Sequence, residues 1–188
     1  MNEYFWSAVA VACTVLTGCM IPNTYYDPTD PYAYGVRWYD RGRYELAAQY
    51  WEPLVEKNDC DAEYWVGMLY FLGRGKPQNN DKALELFRKA ANGNQPKAQG
   101  AMGDVYYQND AVIYHHCKAC TVQKDLVQAY VWYKLLEKSA RYEGEKKYAA
   151  GALQSIRTEM SSEQLSRAEE ALAQWRPTPK DCKPRNWW

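Results

Sequence analysis

The feature that most constrains this chain is a pattern of residues that recurs at a fixed interval. In the segment 62–91, small and aromatic residues at helical spacing predict two short helices, and Gly73 and Gly75 lie where the first should end. Three residues of the first helix have counterparts 36 positions later: Ala62 and Ala98, Gly67 and Gly103, Tyr70 and Tyr106. A period of this length with two helices per unit predicts a helical solenoid.

The apolar stripe of the second helix is repeated on both sides of this unit. The stripe consists of Ala83, Leu86, Phe87 and Ala90, and a copy lies 36 residues upstream at Ala47, Tyr50, Trp51 and Leu54. A further copy lies 46 residues downstream at Ala129, Trp132, Tyr133 and Leu136. Because this interval is 10 residues longer, we place an insertion between Tyr107 and Asp125. Insertions in solenoids fall in the loops of one face, often the binding face.

The segment 62–93 also resembles a known repeat. Its first part, A-x-x-x-V-G-x-x-Y-x-x-G-x-G, is similar to the Sel1-like repeat, a relative of the tetratricopeptide repeat. The positions that match are Gly67, Tyr70, Gly73, Gly75, Ala83, Ala90, Ala91 and Gly93. The resemblance extends over 31–175. It implies an all-α fold, a right-handed α/α solenoid of about three helix pairs with a C-terminal capping helix, which binds other proteins, usually without catalysis.

Helix-start signals mark both ends of the repeat region. Asp30 is a suitable N-cap acid, and Pro31 suits the first position of a helix. Near the other end, Ser161 and Gln164 have the spacing of a capping box. The helix that follows resembles the one that closes many Sel1 chains.

The N-terminus is predicted to be a targeting segment. Residues 7–16 form an apolar run that is too short to cross a bilayer, and it leads into Leu16-Thr17-Gly18-Cys19. This tetrapeptide resembles a bacterial lipobox, in which the cysteine becomes the lipidated first residue of the mature chain. Each acyl CH₂ buried in the membrane would then contribute roughly 0.8 kcal/mol to anchoring. Since no Lys or Arg occurs in the first six residues, an ordinary secretory signal is the alternative.

Both interpretations predict that the protein is exported, and the residue after the cysteine indicates to which membrane. Met20 rather than Asp follows Cys19, which is similar to lipoproteins sorted to the outer membrane. We therefore expect a lipid-anchored protein in the periplasm, at the outer membrane. The predicted parts are a signal peptide at 1–18, a tether at 19–30, the repeat domain at 31–175 and a tail at 176–188.

Charge and aromatic content limit the class of partner. Lys and Arg number 23, as do Asp and Glu, so there is no basic field to attract nucleic acid. The chain has 17 Tyr and 8 Trp, which suit both a solenoid core and a protein-binding surface.

The insertion contains the string His115-His116-Cys117-x-x-Cys120. Covalent haem attachment needs histidine directly after the second cysteine, where Thr121 stands. Zinc binding and thiol redox chemistry stay open as alternatives, although only one ligand cluster exists and no strand–helix–strand unit is predicted. We favour structural disulfides of an oxidising compartment, without metal or cofactor. The cysteines concerned are Cys60, Cys117, Cys120 and Cys182, which allow three connectivities.

Catalytic motifs are absent from the sequence. It has no GxSxG string, no HExxH string and no phosphate-binding loop beside a strand. We therefore expect a protein that is not an enzyme.

The resemblance also suggests where a partner should bind. In repeats of this kind the first helix of each unit lines one face, so its positions outside the repeat pattern are expected to contact the partner, together with the insertion. These residues are Glu63, Met68, Phe71, Arg74, Gln99, Asp104, Tyr107, Tyr114, His115 and His116.

Two hypotheses of function follow. The first is an immunity protein that neutralises a toxin in the periplasm, because exported Sel1-like proteins serve this way beside type VI secretion phospholipase effectors. The second is an envelope scaffold that assembles or regulates a complex. Both imply one exported protein partner and a lipid anchor in the membrane. We favour the first, since longer arrays suit scaffolds better.

Overall fold

The computed structural model describes residues 29–107, 122–178 and 182, and all regular structure in these ranges is helical. Eight helices occur there: α1 Pro31–Asp40, α2 Tyr44–Glu56, α3 Cys60–Leu72, α4 Asn80–Asn92, α5 Pro96–Tyr107, α6 Leu126–Ser139, α7 Glu143–Glu159 and α8 Ser162–Gln174. The predicted all-α class is therefore confirmed.

Aspartate side chains start the first helix of the first two units. The carboxylate of Asp30 accepts a hydrogen bond from the Tyr32 amide at the start of α1, and Asp59 does the same for Ala62 in α3. Both are N-cap bonds that satisfy a backbone donor without a partner inside the helix. At the end of α3, Gly73 adopts the left-handed conformation with φ of 64°. This turn is the one that the glycine pattern predicts.

The helices pack in two layers. Within units, α1 packs on α2, α3 on α4 and α5 on α6, and α2, α4 and α6 each contact the helix that follows them. In addition, α7 contacts α5, and α8 contacts α6. Odd-numbered helices therefore form one layer and even-numbered helices the other. This arrangement confirms the α/α solenoid.

Buried side chains form two hydrophobic clusters. The smaller surrounds Trp51, which is fully buried among residues of α1, α2 and α3. The larger extends from α3 to α8 and includes Phe87 and Tyr133, which are also fully buried. Gly67 and Gly103 allow the rings of Phe87 and Tyr133 to approach closely, because a Cβ at either glycine would lie 2.8 Å from a ring carbon. These repeat glycines are therefore packing positions.

A disulfide ties the C-terminal tail back to the second unit. Cys60, at the start of α3, is bonded to Cys182, with 5.3 Å between the Cα atoms. Before the bridge, the Thr178 amide donates to the Asn92 carbonyl at 2.8 Å. Gly93 makes room for the bridge, because a Cβ there would overlap both sulfur atoms. This pairing is one of those that the sequence left open.

Other sequence predictions fall outside the described ranges. Among them are the lipidation site Cys19 and the two insertion cysteines, Cys117 and Cys120. Of the helices that the structure does describe, none combines the length and the apolar composition needed to cross a membrane.

Candidate protein-binding surface

Half of the residues expected to contact a partner are instead buried. They are Glu63, Phe71, Gln99, Asp104 and Tyr107, of which Tyr107 is the most exposed at 7%. The expectation that these side chains are exposed is wrong. The reason is that α3 and α5 are covered by neighbouring helices on several sides, which a pattern within one unit does not reveal.

The other predicted contact residues have mixed positions. Met68 is half-buried and Arg74 is exposed, so their role as partner contacts stays a prediction. Tyr114, His115 and His116 lie outside the described residues.

Asp104 on α5 is the centre of a buried polar cluster. Its Oδ1 atom accepts hydrogen bonds from the hydroxyl of Tyr133, at 2.6 Å, and from the hydroxyl of Tyr148. Burial raises the pKa of the Asp104 carboxyl, while the two hydrogen bonds act in the opposite direction. Burial and the nearby carboxylate raise the pKa of the Tyr133 phenol. The tyrosines therefore remain neutral donors at physiological pH.

Tyr148 links this buried cluster to the surface. Its hydroxyl is held by Asp104, yet 44% of the residue is exposed to solvent. The bond joins α7 to α5, and the Tyr148 ring also packs edge-on against Tyr133, with 6.0 Å between centroids. The exposed ring is thus fixed in position before any partner arrives.

A second aromatic group lies on the same layer of helices. Trp65 of α3 is half-buried, and its indole N–H donates to the Tyr32 hydroxyl at 2.7 Å. Its ring lies 4.9 Å from that of Tyr39 on α1, measured between centroids. On its other side, Lys97 Nζ of α5 lies 5.2 Å from the centroid of the Trp65 ring, a cation–π contact.

Tyr64 connects the two aromatic groups. Burial raises the pKa of its phenol, and the neighbouring groups Tyr39, Asp104 and Glu145 raise it further. Tyr64 on α3 is therefore near enough to α5 and α7 to experience their charges. We use the name odd-helix face for the accessible side chains of this layer: Tyr64, Trp65, Lys97 and Tyr148.

Hydrogen bonds to one glutamate connect the residues on either side of the insertion, and we call this group of Tyr107, Lys124 and Glu159 the insertion latch. Glu159 at the end of α7 accepts from the Tyr107 hydroxyl at 2.7 Å and from Lys124 Nζ at 2.8 Å. Burial and the Glu159 carboxylate raise the pKa of Tyr107 to about 12, and Lys124 lowers the pKa of Glu159. Tyr107 precedes residues 108–121, and Lys124 follows them. The Glu159 side chain of α7 therefore binds the residues on both sides of this segment.

An open cavity of about 690 Å³ adjoins this latch. Its lining includes Tyr106, Val122, Lys124, Leu126, Glu159 and Arg167. Charges of both signs line it, so no single ligand charge is favoured. Within residues 29–107, 122–178 and 182, no group of three His, Cys, Asp or Glu side chains could hold a metal ion.

Sequence reasoning missed Trp65 and Tyr148 as surface aromatics. A signal exists for Tyr148, because it precedes a buried stripe of α7 that consists of Ala149, Leu153 and Ile156. A helical projection therefore places Tyr148 at the edge of that stripe. The hydrogen bond to Asp104, 44 residues earlier, has no local signal.

The described chain is thus a two-layer helical repeat protein with an accessible aromatic face. The model of the Sel1 repeat matches residues 60–95 and 96–138. The first range contains α3 and α4, and the second contains α5 and nearly all of α6. Two segments of the chain therefore match the Sel1 repeat, and such repeats are generally non-catalytic modules for protein interaction.

A solved structure shares the fold at low sequence identity. The crystal structure of c5321, a protective antigen present in uropathogenic Escherichia coli strains, is similar with a TM-score of 0.63 and 20% identity, over 78% of this chain and 30% of that chain. This chain therefore spans less than a third of c5321. A Sel1 repeat protein from Oxalobacter formigenes aligns at a TM-score of 0.48 and 20% identity, over 81% of this chain and 68% of its own. No curated protein matches in sequence.

Proposed function

We propose that this protein is an exported lipoprotein that binds and neutralises one toxin, a lipase or phospholipase effector acting in the periplasm. Lipidation of Cys19 anchors it at the outer membrane. It works without catalysis, by occupying a surface that the toxin needs for activity.

The observation that carries this proposal is the odd-helix face. Aromatic side chains supply much of the binding energy in protein interfaces, provided that they fill a pocket of the partner. Tyr148 is suited to that role because its hydroxyl is tied to Asp104 while its ring is exposed. An already ordered side chain loses less conformational entropy on binding. The face therefore offers anchors that need little rearrangement.

A further feature supports an oxidising compartment. The bond between Cys60 and Cys182 is of a kind that persists mainly outside the cytosol.

The first test identifies the partner and asks whether it is toxic. We expect the wild-type protein to recover one exported protein from periplasmic extract, and Tyr148→Ala to bind that protein roughly 30- to 1,000-fold more weakly, since truncating an interface anchor costs about 2–4 kcal/mol. Gln154→Ala is the control, because Gln154 is exposed on α7 but projects away from Tyr148.

Toxicity then separates the two roles. Periplasmic expression of the partner alone should kill cells, and co-expression of wild-type protein should restore survival. A harmless envelope protein recovered as the partner would support the scaffold role instead. Failure to recover any protein at low and at high salt would contradict a binding function.

The second test concerns the anchor. We expect wild-type protein to fractionate with membranes, whereas Cys19→Ser should be found in the soluble periplasmic fraction or remain unprocessed, because the acylated thiol is lost. Wild-type protein in the soluble periplasmic fraction would contradict lipidation while leaving export intact.

A further inference from the structure

We infer that Asp104 and Tyr148 form a recognition site for a cationic side chain of the partner, specifically the guanidinium group of an arginine. The inference rests on the proposed binding function and adds the chemistry of one contact on the odd-helix face.

One oxygen of the Asp104 carboxylate is unused by the described residues. Both tyrosine hydroxyls donate to Oδ1 of Asp104, and the described residues provide Oδ2 with neither a hydrogen bond nor an ion pair. The fully enclosed side-chain oxygens and nitrogens that lack a partner do not include Oδ2, so this atom is not completely closed off from solvent. Oδ2 is therefore an acceptor available to an external donor.

The described chain provides no cation to compensate the charge of the Asp104 carboxylate. Asp104 is only 6% exposed, and a carboxylate buried to this degree ordinarily has a cationic partner. Here its partners are two neutral phenols, and Asp104 takes part in none of the ion pairs of the described chain. Hydrogen bonds from hydroxyls stabilise the negative charge but do not cancel it. A cation bound at Oδ2 would cancel this charge.

An exposed aromatic ring lies beside the carboxylate. The hydroxyl of Tyr148 donates to Asp104, and 44% of this residue is exposed to solvent. Cations are attracted to the faces of such rings. A guanidinium fits best, because it is planar, stacks on an aromatic ring and still directs N–H groups at a carboxylate.

The test uses a probe in place of the unidentified partner. The full chain is titrated with N-acetyl-arginine methylamide and followed by amide NMR signals, with N-acetyl-citrulline methylamide as a matched probe of nearly the same shape without charge. We expect the arginine probe to shift the Asp104 and Tyr148 signals with millimolar affinity, and at least about tenfold more tightly than citrulline.

Variants then assign the effect to the two side chains. Asp104→Asn and Tyr148→Ala should each weaken arginine binding at least about tenfold, while Gln154→Ala should leave it unchanged. Circular dichroism checks the fold, and Tyr148→Ala keeps the test valid if Asp104→Asn unfolds, because 44% of Tyr148 is exposed and its loss leaves the Tyr133 hydrogen bond to Asp104 in place. Equal binding of the two probes, or unchanged binding in both variants, would overturn the inference.

The site and the proposed function can fail separately. If a captured partner binds Asp104→Asn as tightly as wild type and the arginine probe does not bind, the inference fails while the binding function stands. If the probe binds as expected but no exported partner exists, the site stands and the proposed function fails.

Discussion

Replacement of Cys182 by serine is expected to lower the melting temperature by about 10 °C or more. The bond to Cys60 joins residues 122 positions apart, and closing a loop of that length in the unfolded chain is worth roughly 4–5 kcal/mol. Each kcal/mol corresponds to about 2–4 °C for a domain of this size. The loss is large because the loop that the bridge closes contains all six helices from α3 to α8.

Native packing adds to this effect of the bridge. Both sulfur atoms lie against Gly93, and the tail makes a backbone hydrogen bond from Thr178 to Asn92. Trp175, which leads into the tail, is partly buried against the larger hydrophobic cluster. Without the bridge these contacts must hold the tail unaided. We therefore expect its amide protons to exchange faster in Cys182→Ser than in wild type.

The matched control is the double variant Cys117→Ser and Cys120→Ser, which removes two other cysteines and leaves this bridge intact. It should melt at least several degrees above Cys182→Ser in non-reducing buffer. Dithiothreitol should lower the melting temperature of this double variant by about as much as Cys182→Ser lowers that of wild type. Equal melting of wild type and Cys182→Ser without reductant would show that the bridge does not stabilise the fold.

The disulfide illustrates what sequence alone could and could not predict. Composition and context pointed to disulfides and to four candidate cysteines, but spacing along the chain does not determine which thiols meet in space. A glycine is already expected at position 93 from the repeat pattern, so nothing in the sequence indicates that Gly93 lies next to a disulfide. The fold was easier to predict, because the 36-residue period, the glycine turn and the capping residues can all be read directly from the sequence. Local signals are sufficient to position helices.

The candidate site depended on contacts between units, and there the sequence was less informative. Asp104 was expected on the surface because the repeat pattern assigns its neighbour Gly103 to the core and leaves Asp104 free. In the structure α7 brings Tyr148 across α5, which covers Asp104 and makes it a hydrogen-bond acceptor. A repeat motif describes the packing of one unit and its immediate neighbours. It contains no information about a side chain that arrives from a later, divergent unit.

The same substitution, glycine to alanine within a helix, is expected to have opposite effects at two positions. At Gly35 of α1, a Cβ would overlap the indole ring of Trp51. At Gly151 of α7, a Cβ would meet no atom within 4 Å. We expect Gly35→Ala to destabilise the protein by about 3 kcal/mol, the upper end for overpacking a core. Gly151→Ala should stabilise it by about 1 kcal/mol, since alanine is the better helix former.

The large effect at Gly35 follows from how firmly Trp51 is held. The ring is fully buried, and its N–H donates to the Tyr32 carbonyl at 3.1 Å. Tyr39 and Trp65 pack against it, with ring centroids 5.9 Å and 5.6 Å away. Trp51 therefore cannot retreat without disturbing two other rings or leaving a buried N–H unpaired. The alternative is that α1 separates from α2, which exposes the smaller hydrophobic cluster.

Urea unfolding of the two variants and wild type measures both free energies under identical conditions. The combined tryptophan fluorescence, to which Trp51 contributes, should show an altered native spectrum for Gly35→Ala and an unchanged one for Gly151→Ala. If both variants stabilise the protein, the contact between Gly35 and Trp51 is looser than the structure indicates. If both destabilise it, the exposed side of α7 has a packing role that the described residues do not account for. Opposite signs would establish that the glycine of α1 is required by the aromatic core, whereas that of α7 is not required by the fold.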